Sequence, residues 1–135
     1  YFLFILLICI STDIGGYIFG KFFKGKKLTK ISPNKTYSGM LGSFILSVIL
    51  SYLFLELTTI FTYLKFNSID TLIFILLISL ISQVGDIIIS YFKRKSKIKN
   101  TGKLIPGHGG LLDRIDGMIF AFPFGYLVLY LEILK

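Results

Sequence analysis

The sequence has 135 residues, of which 54% are hydrophobic and 16% are charged, and its formal net charge is +8. So few charged residues could not cover a soluble domain of this length. The hydrophobic residues also stand in blocks of about 20, which is the length of a helix that crosses the ~30 Å hydrocarbon layer of a bilayer. The composition therefore excludes an ordinary soluble domain and predicts an all-α, polytopic integral membrane protein. The apolar runs lack the alternation of a membrane β-barrel.

We predict four transmembrane helices that form one bundle. They are expected at about Tyr1–Gly20, Tyr37–Tyr63, Ile69–Phe92 and Leu111–Leu134. The sequence opens inside the first apolar run without a basic segment or a cleavage site, so we expect a fragment or a processed form rather than a signal peptide. Cys9 lies in this run and is expected to be a small buried apolar residue.

Basic residues concentrate in two of the three connections between these helices. The first connection carries Lys21, Lys24, Lys26, Lys27, Lys30 and Lys35, and the third carries Lys93, Arg94, Lys95, Lys97, Lys99 and Lys103. The second connection has only Lys65, close to Asp70. Because lysine and arginine are enriched in cytoplasmic loops, both basic loops are predicted to be cytoplasmic. Attraction to anionic lipid headgroups explains them better than binding to nucleic acid does.

Four of the seven acidic residues lie in or at the ends of the predicted helices, on the side of the basic loops. They are Asp13, Asp86, Asp113 and Asp116. Burying several carboxylates together is costly unless cations neutralise them, and oxygen ligands without a Cys or His cluster suit Mg²⁺ where phosphates are present. The alternative is a set of interhelical ion pairs with Lys35, Lys93, Arg94 or Arg114.

Two loop segments could bind phosphate groups. The segment 32–36, Ser-Pro-Asn-Lys-Thr, places a lysine and hydroxyl groups before the second helix, although a simple turn into that helix explains it equally well. The segment 106–110, Pro-Gly-His-Gly-Gly, surrounds His108 with glycines that allow close approach of the backbone to a ligand. A lone histidine is more often structural than catalytic, but the glycines and the carboxylates that follow favour a site here.

Together these segments resemble the phosphatidate cytidylyltransferase family. The stretch 90–116, which begins Ser-Tyr-Phe-Lys-Arg and ends Leu-Leu-Asp-Arg-Ile-Asp, is similar to the signature of that family. Gly85-Asp86, the segment 32–36 with Gly39, and Thr12-Asp13-Ile14-Gly15-Gly16-Tyr17 resemble further family segments. The resemblance covers nearly the whole sequence and the C-terminal half of the family fold, so residues 1–135 are expected to be a single membrane-embedded catalytic domain. It departs from the pattern at Asn100, where the family has Asp.

The resemblance implies nucleotidyl transfer from CTP to phosphatidate, which gives CDP-diacylglycerol and pyrophosphate. Catalytic roles are implied for Asp86, Lys93, Arg94, His108, Asp113 and Asp116, and the three aspartates would hold the metal. Substrate binding is implied for Asp13, Ser32, Lys35, Thr36, Ser90, Lys99, Gly107, Gly109, Gly110 and Arg114. The implied cofactor is Mg²⁺, with K⁺ as a candidate second ion. A homodimer is a candidate assembly, and the expected location is a bacterial inner membrane with the site facing the cytoplasm.

Three alternatives remain open at this point. A related enzyme of the same superfamily would use another lipid phosphate, such as an ether lipid. An inactive fragment would survive as a structural subunit. A transporter or channel subunit would place carboxylates in an ion pathway, but it would be expected to carry polar residues across the full membrane depth. CDP-alcohol phosphotransferases are disfavoured, because their Asp-Gly-x-x-Ala-Arg motif is absent despite Asp116-Gly117.

Overall fold

The computed structural model of the protein describes residues 1–28, 35–58, 67–97 and 115–131. Four α-helices occupy most of these ranges: α1 (Phe2–Phe23), α2 (Tyr37–Leu57), α3 (Ser68–Lys95) and α4 (Met118–Tyr130). The helices α1, α2 and α3 are long and apolar enough to cross a membrane, whereas the 13 residues of α4 are too few to do so alone. The prediction of an all-α membrane protein is confirmed.

The ends of the helices differ from the predicted ends by a few residues. The first helix continues to Phe23 and ends where Lys24 takes the left-handed conformation, with φ of 40°. The third helix continues to Lys95, because the long basic side chains of its last turn can reach water while the backbone stays helical. The predicted continuation of the second helix to Tyr63, and both ends of the fourth at Leu111 and Leu134, lie outside the described residues.

The connection from α1 to α2 folds back on itself and positions Lys35. The N–H of Leu28 donates to the carbonyl oxygen of Lys35 at 2.7 Å, and the N–H of Tyr37 donates to that of Lys26 at 3.1 Å. Thr36 then caps α2, because its hydroxyl oxygen accepts the N–H of Gly39 at 3.1 Å. Lys35 is therefore held between a short backbone pairing and a capped helix.

Glycines bring the backbones of α1 and α2 into contact. A β-carbon at Gly15 would lie 2.8 Å from the carbonyl oxygen of Gly42, and one at Gly39 would lie 2.7 Å from that of Gly16. Helices pack this closely in membranes where small residues face one another. The contact fixes the pocket-lining face of α1 against the start of α2.

The core lies where α1, α3 and α4 meet. Phe4 stacks on Phe74 with ring centroids 6.2 Å apart, and Ile8 and Cys9 are fully buried in the same cluster, which confirms the expectation for Cys9. The outer face of α2 is apolar instead, and Ile45, Ile49 and Leu53 are each more than half exposed. Exposed apolar rows of this kind face lipid in a membrane helix.

Candidate active site

A cavity of about 230 Å³ opens between α1, α2 and α3, beside the first basic connection. Its wall contains residues from both sides of the α1–α2 connection and from α3. These are Asp13 and Tyr17 from α1, Lys35 and Thr36 just before α2, and Gln83 and Asp86 from α3. This cavity, called the polar pocket below, thus joins residues that are far apart in sequence.

The best-defined polar contact in the polar pocket is an ion pair between the α1–α2 connection and α3. The Lys35 Nζ lies 2.7 Å from the Asp86 Oδ2, and it also approaches the carbonyl oxygen of Gln83 at 3.5 Å. The two charged side chains retain 27% and 31% of their exposure. Because both remain accessible from the pocket, a charged ligand could bind to either of them.

Asp13 adds a second carboxylate to the polar pocket. It lies at an exposed position of α1 and lines the same cavity as Lys35 and Asp86. Two of the four acidic residues that the sequence predicts to converge, Asp13 and Asp86, therefore share one pocket. Asp113 lies outside the described residues.

A second and more deeply buried ion pair joins the last turns of α3 to the residues before α4. The Lys93 Nζ lies 2.5 Å from the Asp116 Oδ2, and the two side chains retain only 14% and 5% of their exposure. Gly117 lets this segment approach α3 closely, since a β-carbon there would lie 2.7 Å from the carbonyl oxygen of Ser82. The interhelical ion pairs that were the alternative explanation of the carboxylates are therefore present for Asp86 and Asp116.

Comparison with known sequences identifies the family of this chain. The profile of the Cytidylyltransferase family matches residues 1–132. The chain belongs to the Cytidylyltransferase family.

Individual relatives agree with this family assignment. The phosphatidate cytidylyltransferase of Bacillus subtilis (strain 168) is 38% identical over 122 residues, which are 90% of this chain and 44% of that protein. The phosphatidate cytidylyltransferase of Rickettsia conorii (strain ATCC VR-613 / Malish 7) is 44% identical over 124 residues, 87% of this chain and 53% of that protein. The uncharacterized protein YnbB of Escherichia coli (strain K12) is 41% identical over 130 residues, 95% of this chain and 42% of that protein. The chain thus spans about half the length of these relatives.

In this cytidylyltransferase-family chain, only some of the predicted site residues are described. Lys35, Thr36, Asp13 and Asp86 line the polar pocket, and Lys93 and Asp116 form the second ion pair. Ser90 is half-buried one turn beyond Asp86, and Arg94 is exposed near the end of α3. The remaining predicted site residues lie outside the described ranges: Ser32, Lys99, Gly107, His108, Gly109, Gly110, Asp113 and Arg114.

Tyr17 and Gln83 are among the residues of the polar pocket that were not predicted as site residues. Tyr17 stands four residues after Asp13, and Gln83 stands three residues before Asp86, so each shares a helix face with a predicted site residue. Helical spacing from the two aspartates was the signal that could have identified them. Both side chains combine an apolar body with a polar end, and their role was ambiguous inside an apolar run.

Metal binding was predicted for Asp86, Asp113 and Asp116. Within residues 1–28, 35–58, 67–97 and 115–131, no three Asp, Glu, His or Cys side chains are grouped closely enough to hold a metal ion. Mg²⁺ is nevertheless commonly held by one or two carboxylates together with substrate phosphates and water. The oxygen donors of Asp13 and Asp86, both on the polar pocket, fit that kind of binding.

Proposed function

We propose that the chain carries the active site of a phosphatidate cytidylyltransferase, which transfers a cytidylyl group from CTP to the phosphate of phosphatidate. One observation carries the proposal: Lys35 and the carboxylates of Asp13 and Asp86 converge on a pocket between apolar helices. A reaction between a charged soluble nucleotide and a membrane lipid needs a charged pocket within the membrane-spanning part of the protein. Relatives that bear the name of this enzyme support the choice of reaction.

In the proposed reaction, a phosphate oxygen of phosphatidate attacks the α-phosphorus of CTP. A new P–O bond forms, the bond from the α-phosphorus to the oxygen bridging it to the β-phosphorus breaks, and that oxygen leaves with its electron pair as part of pyrophosphate. The attacking oxygen is already anionic, so no general base is required. The barrier is lowered mainly by positioning and by neutralisation of negative charge.

The cationic side chains supply this neutralisation in the proposal. Lys35 lies in the polar pocket, where it would exchange its ion pair with Asp86 for a phosphate and bind that phosphate as a point charge. Lys93 and Arg94, on α3, would neutralise the triphosphate. His108 and its neighbouring glycines are proposed to line the nucleotide site. These assignments extend the sequence-based prediction, and binding data for each residue would test them.

Mg²⁺ is the proposed cofactor, with K⁺ as a candidate second ion. Asp86, Asp113 and Asp116 are the proposed ligands, and Asp13 is an additional oxygen donor on the polar pocket. When bound, Mg²⁺ would supply positive charge to the phosphate groups. Release of Asp86 from Lys35 would leave a carboxylate available to the ion, while the lysine remains beside the same phosphates.

We further propose that the protein resides in a bacterial inner membrane with the polar pocket facing the cytoplasm. The two lysine-rich connections support this orientation by the positive-inside rule, and CTP is a cytosolic nucleotide. The homodimer expected from the sequence stays a prediction.

The experiment is a transferase assay on membranes that contain the protein, with labelled CTP, phosphatidate and Mg²⁺. A lipid-linked CDP product is expected, and Asp86→Asn should reduce its formation at least a hundredfold. Asp70→Asn is the matched control, because it makes the same chemical change in the first turn of the same helix, far from the polar pocket. Equal activity of wild type and Asp86→Asn would contradict the proposed role, and absence of product in the wild type would contradict the reaction.

A further inference from the structure

Three side chains of α1 form a row that leads from the membrane interface into the polar pocket. Asp13, Tyr17 and Lys21 are spaced by four residues, so each lies about one turn, or ~6 Å along the helix, from the next. Asp13 and Tyr17 line the pocket, and Lys21 is in the last turn of the helix. The row therefore marks the mouth of the pocket on the α1 side.

Tyr17 and Lys21 are coupled to each other at this mouth. The Lys21 Nζ lies 3.5 Å from the Tyr17 hydroxyl oxygen and 5.6 Å from the centroid of its ring, which is within the range of a cation–π contact. Within the described residues Lys21 makes no salt bridge, in contrast to Lys35 and Lys93. An aromatic ring thus orients its charge, and no carboxylate of the described ranges neutralises it.

Both residues keep donors for a further partner. A lysine ammonium has three N–H donors, of which the tyrosine uses one, and the Tyr17 hydroxyl can still donate its own proton. Tyr17 is 68% exposed although it lines the pocket, so its hydroxyl is accessible from outside. The two remaining N–H donors of Lys21 and the O–H donor of Tyr17, together with the positive charge, suit an anionic oxygen cluster such as a phosphate.

The surroundings indicate where that phosphate comes from. Phe22 and Phe23 are 80% and 69% exposed immediately after Lys21, and the helix ends at Lys24. Exposed phenylalanine rings suit contact with lipid tails, whereas an amphipathic tyrosine and a long lysine, such as Tyr17 and Lys21, are typical of the membrane–water interface, the depth at which lipid phosphates lie. A nucleotide phosphate would instead be expected beside the inner lysine, Lys35.

We propose that Tyr17 and Lys21 form the site that receives the phosphate of a lipid phosphomonoester at the mouth of the polar pocket. The identity of this lipid as the acceptor of the reaction rests on the proposed function, whereas binding of the lipid does not. Lys21 attracts the negatively charged headgroup. The Tyr17 hydroxyl donates a hydrogen bond to one of the phosphate oxygens and orients the phosphate toward the pocket. Both are binding residues rather than groups that take part in bond formation.

The test compares Lys21→Met and Tyr17→Phe with the wild type by two readouts. In mixed micelles, the KM for phosphatidate should rise about tenfold for Lys21→Met, because a charge-assisted hydrogen bond is lost, and about threefold for Tyr17→Phe, which keeps the ring. The KM for CTP should change less than twofold. Independently of activity, native mass spectrometry should show weaker retention of phosphatidate by both variants and unchanged retention of phosphatidylcholine.

Lys26→Met is the matched control, because it removes the same charge from the exposed connection that follows the row. It should leave the lipid KM and phosphatidate retention unchanged. An effect of Lys26→Met equal to that of Lys21→Met would overturn the proposal in favour of general surface charge. A rise in the KM for CTP alone would overturn it in favour of the nucleotide. If the wild type showed no transferase activity but retained phosphatidate, and the two variants lost this retention, the result would support the lipid site and refute the proposed reaction.

Discussion

The ion pair between Lys93 and Asp116 gives the sharpest prediction about stability. Replacing Lys93 with methionine keeps the length and apolar body of the side chain but leaves the carboxylate, whose side chain is only 5% exposed, without its lysine partner. Breaking a buried pair by removing one partner costs about 3–5 kcal/mol, since the remaining charge stays desolvated. We therefore expect Lys93→Met to lower the free energy of unfolding by about 3 kcal/mol, which corresponds to a fall in Tm of about 10 °C.

The other ion pair provides an internal comparison. Lys35 and Asp86 lie at nearly the same separation, 2.7 Å, but retain about a third of their exposure, so solvent screens them. Lys35→Met should therefore cost only about 1 kcal/mol. The expected difference in stability between the two variants comes from burial of the ion pair and not from the distance between its charges.

Thermal unfolding of the detergent-solubilised protein, followed by the loss of its monodisperse peak in size-exclusion chromatography, measures both effects. The double variant Lys93→Met/Asp116→Asn removes the charge left behind, and it should recover at least half of the stability lost in Lys93→Met. The reasoning would be refuted if Lys93→Met cost no more than Lys35→Met, or if the second substitution gave no recovery.

Three further predictions concern topology, the signature loop and helix packing. A cysteine at Asn67 should react with an impermeant reagent added outside the cell, while a cysteine at Lys97 should not; the reverse pattern would invert the orientation. Asn100→Asp should raise turnover by roughly tenfold, because it restores a charge-assisted interaction worth about 1–2 kcal/mol, and equal rates would show that position 100 is a solvated turn residue. Gly15→Val should destabilise the protein by roughly 2 kcal/mol or more, because its β-carbon would meet the backbone of α2 at 2.8 Å; an unchanged Tm would show that the helices can separate there.

The sequence was sufficient to predict the membrane helices, because their length and hydropathy are local properties. Apolar runs of about 20 residues locate α1, α2 and α3 without knowledge of their neighbours. The ends of the helices were less predictable. The charged run Lys93-Arg94-Lys95 is typical of a loop, but these residues continue α3. A basic side chain at a helix end can keep its charged group in water while its backbone remains helical.

The pairing of charges could not be read from the sequence. Lys35 and Asp86 are 51 residues apart in the sequence. Several other lysines and arginines were equally plausible ion-pair partners for each carboxylate. The choice depends on how α1 packs against α2 and how the connection between them folds back. For the same reason Tyr17 gave no clear signal, since an aromatic residue in an apolar helix most often packs in a core or faces lipid.

The fate of the individual phosphate groups of CTP tests the central claim most directly. CTP labelled at the α-phosphorus and CTP labelled at the γ-phosphorus are each incubated with the protein, phosphatidate and Mg²⁺, and the lipid fraction is extracted. Cytidylyl transfer predicts that the α label enters the lipid and the γ label is released as pyrophosphate. Incorporation of the γ label, or of neither label, would contradict the proposal that this chain carries a cytidylyltransferase site.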